Sequence, residues 1–275
     1  MKRILVPVDF TEVSFNALRY AMDLFGVMNE YHVVHVHPGL TSMQPVALES
    51  SMTSSESIKE EIEAILFETF DFDGKIPENI IVRSLAGEPV QRIKVLTEEE
   101  SFDCAVIGTR DKYDLFDRWF GTTSLGMTKT MNIPIYLVPR YSTFEEYNKV
   151  VVSSDEHLIE QNLVQQIKEW NDQHKAYVKF LHIQSKDEDQ YSEESKTIVS
   201  ELFEKSDPDF GFEIANIKSD NISESLLANA YNFKADLLVV ITEKQSFIQT
   251  LLFQSVSKKI ILQSSIPVLF LHSKA

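Results

Sequence analysis

The chain has 275 residues, 43% of them hydrophobic and 25% charged, the make-up of a soluble globular protein with room for two domains that each bury a core. Against 42 acidic residues stand only 26 basic ones, a net charge of -16 that repels a phosphate backbone and excludes a nucleic-acid surface. No apolar run approaches the ~20 residues that span a bilayer, Pro7 and Asp9 cut the apolar start too early for a signal peptide, and the single cysteine, Cys104, fits a reducing cytoplasm.

In chain order, an apolar strand over Arg3–Val8 ends at Asp9 and leads into a helix over Glu12–Phe25. That helix repeats Phe15, Leu18, Met22 and Phe25 on one face, with Thr11 placed to cap it. A strand over His32–His37 follows, then a Ser- and Thr-rich segment, Thr41–Ser57, that reads as a flexible loop. Helices over Ser57–Phe70, Pro89–Glu99 and Trp119–Met131 alternate with strands over Asn79–Leu85, Asp103–Ile107 and Ile133–Val138. Residues 141–148 read as a linker between a first domain, 1–140, and a second, 149–275.

The second domain opens like the first. Its first strand, Val150–Ser153, runs to Asp155, and a helical pattern of Leu158, Ile159, Leu163, Val164 and Ile167 comes next. Further strands fall at Ala176–His182, Phe212–Ile217, Asp236–Val240 and Ile266–Leu271, with an acidic loop, Ser185–Gln190, before the second helix. The block Asp103–Arg140 aligns without a gap on Asp236–Ser273, with seven identities in 38 positions where residue usage alone gives roughly two or three. They are Asp103/Asp236, Val106/Val239, Thr109/Thr242, Phe120/Phe253, Ser124/Ser257, Ile133/Ile266 and Pro134/Pro267. Repeated strand–helix–strand units in matching order predict two parallel α/β domains.

The segments VPVDFTE (Val6–Glu12), VHV (Val34–Val36), GEPVQRI (Gly87–Ile93) and VIGTRDK…FGTTS…IPIYLVP occur in one order, and in that order the chain resembles the universal stress protein family. The resemblance covers the first domain from end to end and reaches the second through the repeat, so the whole looks like a tandem member. It implies Rossmann-like domains of the adenine nucleotide alpha hydrolase-like type, each with a five-stranded parallel sheet ordered 3-2-1-4-5. It also implies that edge strands Ile133–Val138 and Ile266–Leu271 pair across an internal pseudo-twofold axis, a covalent version of the family's dimer, with a homodimer of the whole chain as a further association.

One branch of that family binds ATP through a Gly-x2-Gly-x9-Gly-Ser/Thr loop after strand four, where backbone N–H groups cradle phosphates. Here Gly108 and the pair Gly121-Thr122 match, whereas the middle position is Asp111. A like charge ~5 Å from a phosphate, at an effective dielectric of ~20, opposes binding by about 3 kcal/mol. By resemblance, Asp9 would meet the adenine end, Val36 would line the base pocket, and Gly108, Gly121, Thr122 and Thr123 would hold phosphate and ribose. Arg110 or Lys112 would partly offset Asp111, and Pro7, Val8 and Thr109 complete the candidate contacts. In the second domain Ile241, Lys244 and Gln254 replace the three glycines, leaving Asp155 alone, so that copy reads as degenerate.

His32, His35 and His37 invite a metal reading, but His32 faces away from the other two and His182 repeats the His35 position, which points to packing. No catalytic grouping stands out, so hydrolysis of ATP is a distant third reading. The first is a cytoplasmic stress-response module that senses ATP or a related nucleotide through its first domain. The second is a nucleotide-independent protein with a protein partner of unknown identity.

Overall fold

The protein is described from a computed structural model that covers residues 1–38, 55–109, 120–154, 161–184, 209–242, 256 and 258–272. Its chain divides into two units, Met1–Phe144 and Glu145–Ala275. Unit 1 runs β1 (Arg3–Val8), α1 (Glu12–Phe25), β2 (Glu30–His37), α2 (Ser55–Thr69), β3 (Ile80–Ala86), α3 (Pro89–Glu99), β4 (Cys104–Thr109), α4 (Phe120–Thr130) and β5 (Ile135–Pro139). Its strands pair in parallel in the order β3-β2-β1-β4-β5. This is the Rossmann-like arrangement that the resemblance implies.

Burial explains why the strands read as unbroken apolar runs. Ile4, Leu5 and Val6 are consecutive and all fully buried, so both faces of the central strand are covered. One face is covered in part by α1, which buries Val13, Phe15, Ala17, Leu18 and Ala21. Cys104 lies in this core, and burial pushes its thiol up to about 12, out of reach of ordinary thiolate chemistry.

Unit 2 repeats the plan with β6 (Lys149–Ser154), α5 (Gln161–Asn171), β7 (Tyr177–Gln184), β8 (Phe212–Lys218), α6 (Ile222–Phe233), β9 (Leu237–Thr242), a helical stretch at 258–263, and β10 (Val268–His272). Its strands are parallel in the order β10-β9-β6-β7-β8, the same topology read from the other edge. The acidic loop at 185–190 and the segment 155–160 lie outside the described residues.

The two units share bonds as well as order. In unit 1 the Arg3 backbone N–H donates to Asp103 Oδ2 at 2.7 Å. In unit 2 the Asn148 and Lys149 N–H groups donate to Asp236 Oδ2 at 2.8 and 2.9 Å. The repeated aspartate is therefore a clamp on the first strand. The repeated Ile-Pro works similarly: Pro134 O accepts from Ala105 N at 2.9 Å, and Pro267 O accepts from Leu238 N at 3.0 Å.

Several element boundaries differ from the sequence reading. Strands β5 and β10 begin at Ile135 and Val268 rather than Ile133 and Ile266, because the intervening prolines have no N–H to add to a ladder. Strand β2 begins at Glu30, whose N–H donates to Lys2 O at 2.9 Å. Helix α2 begins at Ser55, inside the segment read as loop, and the rest of that segment, 41–54, lies outside the described residues. Among the described residues no helix is long and apolar enough to cross a membrane.

Candidate functional site

Open parallel sheets of this kind take ligands in the crevice beyond the carboxyl ends of the strands, where the strand order reverses. In unit 1 that point lies between β1 and β4. Their register sets Ile4 beside Cys104 and Leu5 beside Ala105, and both strands run on toward this edge, ending at Val8 and Thr109. Pro7, half-buried and paired with Val34, and Val8, buried beside His35, form the β1 side of this edge. Gly108 and buried Thr109 form the β4 side, paired with Val138 and Pro139.

Asp9 stands at the mouth and organises the turn into α1. Its Oδ1 accepts from Thr11 Oγ1 at 2.5 Å and from Thr11 N at 3.3 Å, and its own N–H donates to Ser14 Oγ at 3.2 Å. Phe10 follows with φ 62°, a left-handed conformation that costs an L-residue roughly 1–2 kcal/mol. Its ring packs on His35 with centroids 4.5 Å apart. His35 Nδ1–H in turn donates to the Val8 carbonyl at 2.8 Å, fixing the imidazole against the end of β1. Phe10, Ser14 and His35 were not singled out as contacts by the sequence, since a left-handed phenylalanine leaves no compositional signal.

Val36 lies half-buried near the end of β2, beside Leu85. Beyond it, Gly87 adopts φ 148° and its N–H donates to His37 O at 2.8 Å. Only glycine adopts this conformation without strain. Glu88 then caps α3, its carboxylate accepting from Val90 N at 3.2 Å and Gln91 N at 2.8 Å. The GEPV segment is thus a helix start whose free N–H groups already hold an acid, so α3 offers no anion site there.

Gly108 has a packing reason for being glycine. A Cβ there would lie 2.6 Å from the Val13 carbonyl oxygen and 2.9 Å from its carbon. The end of β4 touches the first turn of α1 through bare backbone. Gly121, Thr122 and Thr123 fall in the first turn of α4, with Thr123 half-buried. Arg110, Asp111 and Lys112 lie outside the described residues. The structure therefore brings Pro7, Val8, Asp9, Gly108 and Thr109 to two adjacent strand ends and sets Val36 near the end of the next strand.

In unit 2, Ile241 occupies the Gly108 position, buried beside Leu271, so a branched side chain fills what is bare backbone in unit 1. Asp155, Lys244 and Gln254 lie outside the described residues. His182 pairs with Ser154 and Asn216 as His35 pairs with Val8 and Ser84, a repeated place in the sheet. Among the described residues no three His, Cys, Asp or Glu side chains are grouped as for a metal ion.

The model of the universal stress protein family matches residues 1–139 and again 146–272. A universal stress protein of Methanocaldococcus jannaschii is 25% identical over 159 residues, which cover 50% of this chain and 95% of that protein. Among solved structures, a universal stress protein from Archaeoglobus fulgidus superposes with a TM-score of 0.72 at 18% identity, over 98% of both chains. A protein of Pseudomonas aeruginosa superposes at 0.61 with 12% identity, over 99% of this chain and 93% of that one. At these identities the structural likenesses bear on the fold alone.

Proposed function

We propose, since the chain belongs to the universal stress protein family, that its first unit is a cytoplasmic stress-response module that binds ATP or a related adenine nucleotide weakly, and that its second unit does not bind it. The observation that carries this reading is the reversal of strand order between β1 and β4 in unit 1, flanked by Asp9 after β1 and by Gly108 and Thr109 at the end of β4. In this reading Asp9, Pro7, Val8 and Val36 meet the adenine end. Gly121, Thr122 and Thr123, in the first turn of a helix, hold phosphate and ribose, where N–H groups and the helix dipole favour an anion. Asp111 weakens the site by like charge, and Arg110 and Lys112 offset it in part.

Calorimetry with Mg-ATP tests this. Asp111→Gly is expected to tighten binding by on the order of tenfold to a hundredfold over wild type. Lys244→Gly in unit 2 is expected to change nothing, because Ile241 and Gln254 remain. No gain from Asp111→Gly would remove the latent phosphate loop. A second reading would then lead: a nucleotide-independent interaction module. It is favoured by the Val13 backbone against Gly108, which accounts for that glycine with no ligand at all.

A further inference from the structure

At the opposite end of unit 1's sheet, where the strands begin, five charged or titratable side chains converge away from the crevice. Arg3 on β1 donates through Nε to Glu30 Oε1 at 2.8 Å, through Nη2 to Glu100 Oε2 at 2.9 Å, and through Nη1 to the Ser101 carbonyl at 2.8 Å. Arg83 on β3 closes on Glu100, just past α3, with Nη1 to Oε1 at 2.6 Å and Nη2 to Oε2 at 3.2 Å. Two guanidiniums and two carboxylates make this group electrically neutral.

His32 on β2 sits within it, only 1% exposed. Its Nε2 meets Glu30 Oε1 and lies 3.3 Å from Arg3 Nη2, and its ring stands edge-on to Phe102 at 5.0 Å. Its Nδ1 is buried with no hydrogen-bond partner among the described residues. The close approach to Glu30 fits a neutral ring whose Nε2–H donates to it, with Arg3 Nη2 left to its bond with Glu100. The other neutral tautomer would bury an N–H without an acceptor and turn a lone pair toward a carboxylate. A second proton does worse. It leaves Nδ1–H unsatisfied and adds a net positive charge between Arg3 and Arg83.

We propose that His32 is an acid-sensitive latch: its protonation loosens the strand-start edge of unit 1, parting Arg3, Glu30, Arg83 and Glu100, while the matching edge of unit 2 stays closed. Burial, with Arg83 and Arg3 adding to it and the Glu30 hydrogen bond opposing, holds His32 below its ordinary value of 6.5. The folded state therefore binds fewer protons than the unfolded one, so its stability is complete above pH 6.5 and falls as pH drops below that. Glu30 and Glu100 are both held below the ordinary 4.5, Glu100 at about 2, so both stay ionised at pH 5.5 and above.

At the matching position unit 2 carries a lysine in place of the histidine. Its register sets Lys179 beside Val151, as His32 stands beside Leu5. There the Lys179 ammonium pairs with Glu213 Oε1 at 3.0 Å and lies over the Phe233 ring at 5.2 Å. An ion pair replaces the imidazole.

Hydrogen exchange on the full chain at pH 7.5 and pH 5.5, corrected for intrinsic rates, tests the latch. Backbone amides around Arg3, Glu30–Val34 and Arg83 are expected to open more by up to about tenfold per pH unit, the limit for one proton taken up. Those around Val151 and Lys179 are expected to hold. His32→Gln, which cannot take the proton, is expected to abolish the difference. Should that variant not fold, the His32 ring resonance of the wild type decides, with an expected midpoint below 6.5. A midpoint at or above 6.5, no loosening at pH 5.5, equal loosening of both units, or loosening that persists in His32→Gln would overturn the proposal.

Discussion

Replacing Gly108 by alanine separates packing from ligand binding at the residue that serves both readings. The added methyl carbon would meet Val13 O at 2.6 Å, Val13 C at 2.9 Å and Val13 Cγ1 at 2.9 Å. Two of these are backbone atoms in the first turn of α1, a helix held at its start by Thr11 and by the Asp9 turn, so no rotamer change relieves them. Overpacking of this kind costs roughly 1–3 kcal/mol, and backbone contact puts Gly108→Ala near the top, at about 2–3 kcal/mol. For a unit of this size that is a fall in melting temperature of roughly 6–12 °C. Gly126→Ala is the control. Its methyl would meet side-chain rather than backbone atoms, Val90 Cγ2 at 2.8 Å and Cγ1 at 3.2 Å, and alanine in a helix recovers roughly 0.5–1 kcal/mol. Scanning calorimetry of both variants, without nucleotide, is the assay. A Gly108→Ala transition within a degree of wild type, or an equal loss in Gly126→Ala, would refute the argument that β4 rests on α1 through bare backbone.

Asp236→Ala should destabilise unit 2 by roughly 1–2 kcal/mol in urea denaturation, since the Asn148 and Lys149 N–H groups lose their shared acceptor. Asp236→Asn, which keeps one amide oxygen, should cost less. Glu100→Gln should lower stability at neutral pH. Because the guanidiniums of Arg83 and then Arg3 hold Glu100 at about 2, its contribution is present above 4.5 and disappears as pH falls through 2. The gap between variant and wild type should therefore close over that range, and a gap independent of pH would contradict it.

The sequence disclosed the architecture because parallel strands covered on both faces must be apolar throughout, as Ile4–Val6 are, and because the chain repeats itself. The start of α1 was legible for a similar reason: Thr11 acts within its own turn. What sequence could not show were partners distant along the chain. Asp103 and Asp236 were visible as a repeated residue but not as clamps on Arg3 and Lys149. Gly108 carried a motif reading, while its contact with Val13 needs the fold. His32 was placed correctly on the face away from His35, yet nothing local announces Arg3, Arg83 and Glu100 around it. At the site, Asp9 and Val36 could be located from strand ends. Phe10 could not, because its backbone conformation is imposed by the turn rather than preferred by the residue.

The aspartate clamps also set an order of events on the ribosome. Strand β1 is made first, but the oxygen that anchors its first N–H belongs to Asp103, 100 residues later. At translation speeds of roughly 5–20 residues per second, that strand waits on the order of 5–20 s for its anchor. Strand β6 has a similar wait, with 87 residues between Lys149 and Asp236. Each half must therefore hold its leading strand without this anchor, and with the side that β4 or β9 covers still open, while most of that half is being synthesised, the interval in which an apolar segment such as Ile4–Val6 is most open to chaperones or to another nascent chain.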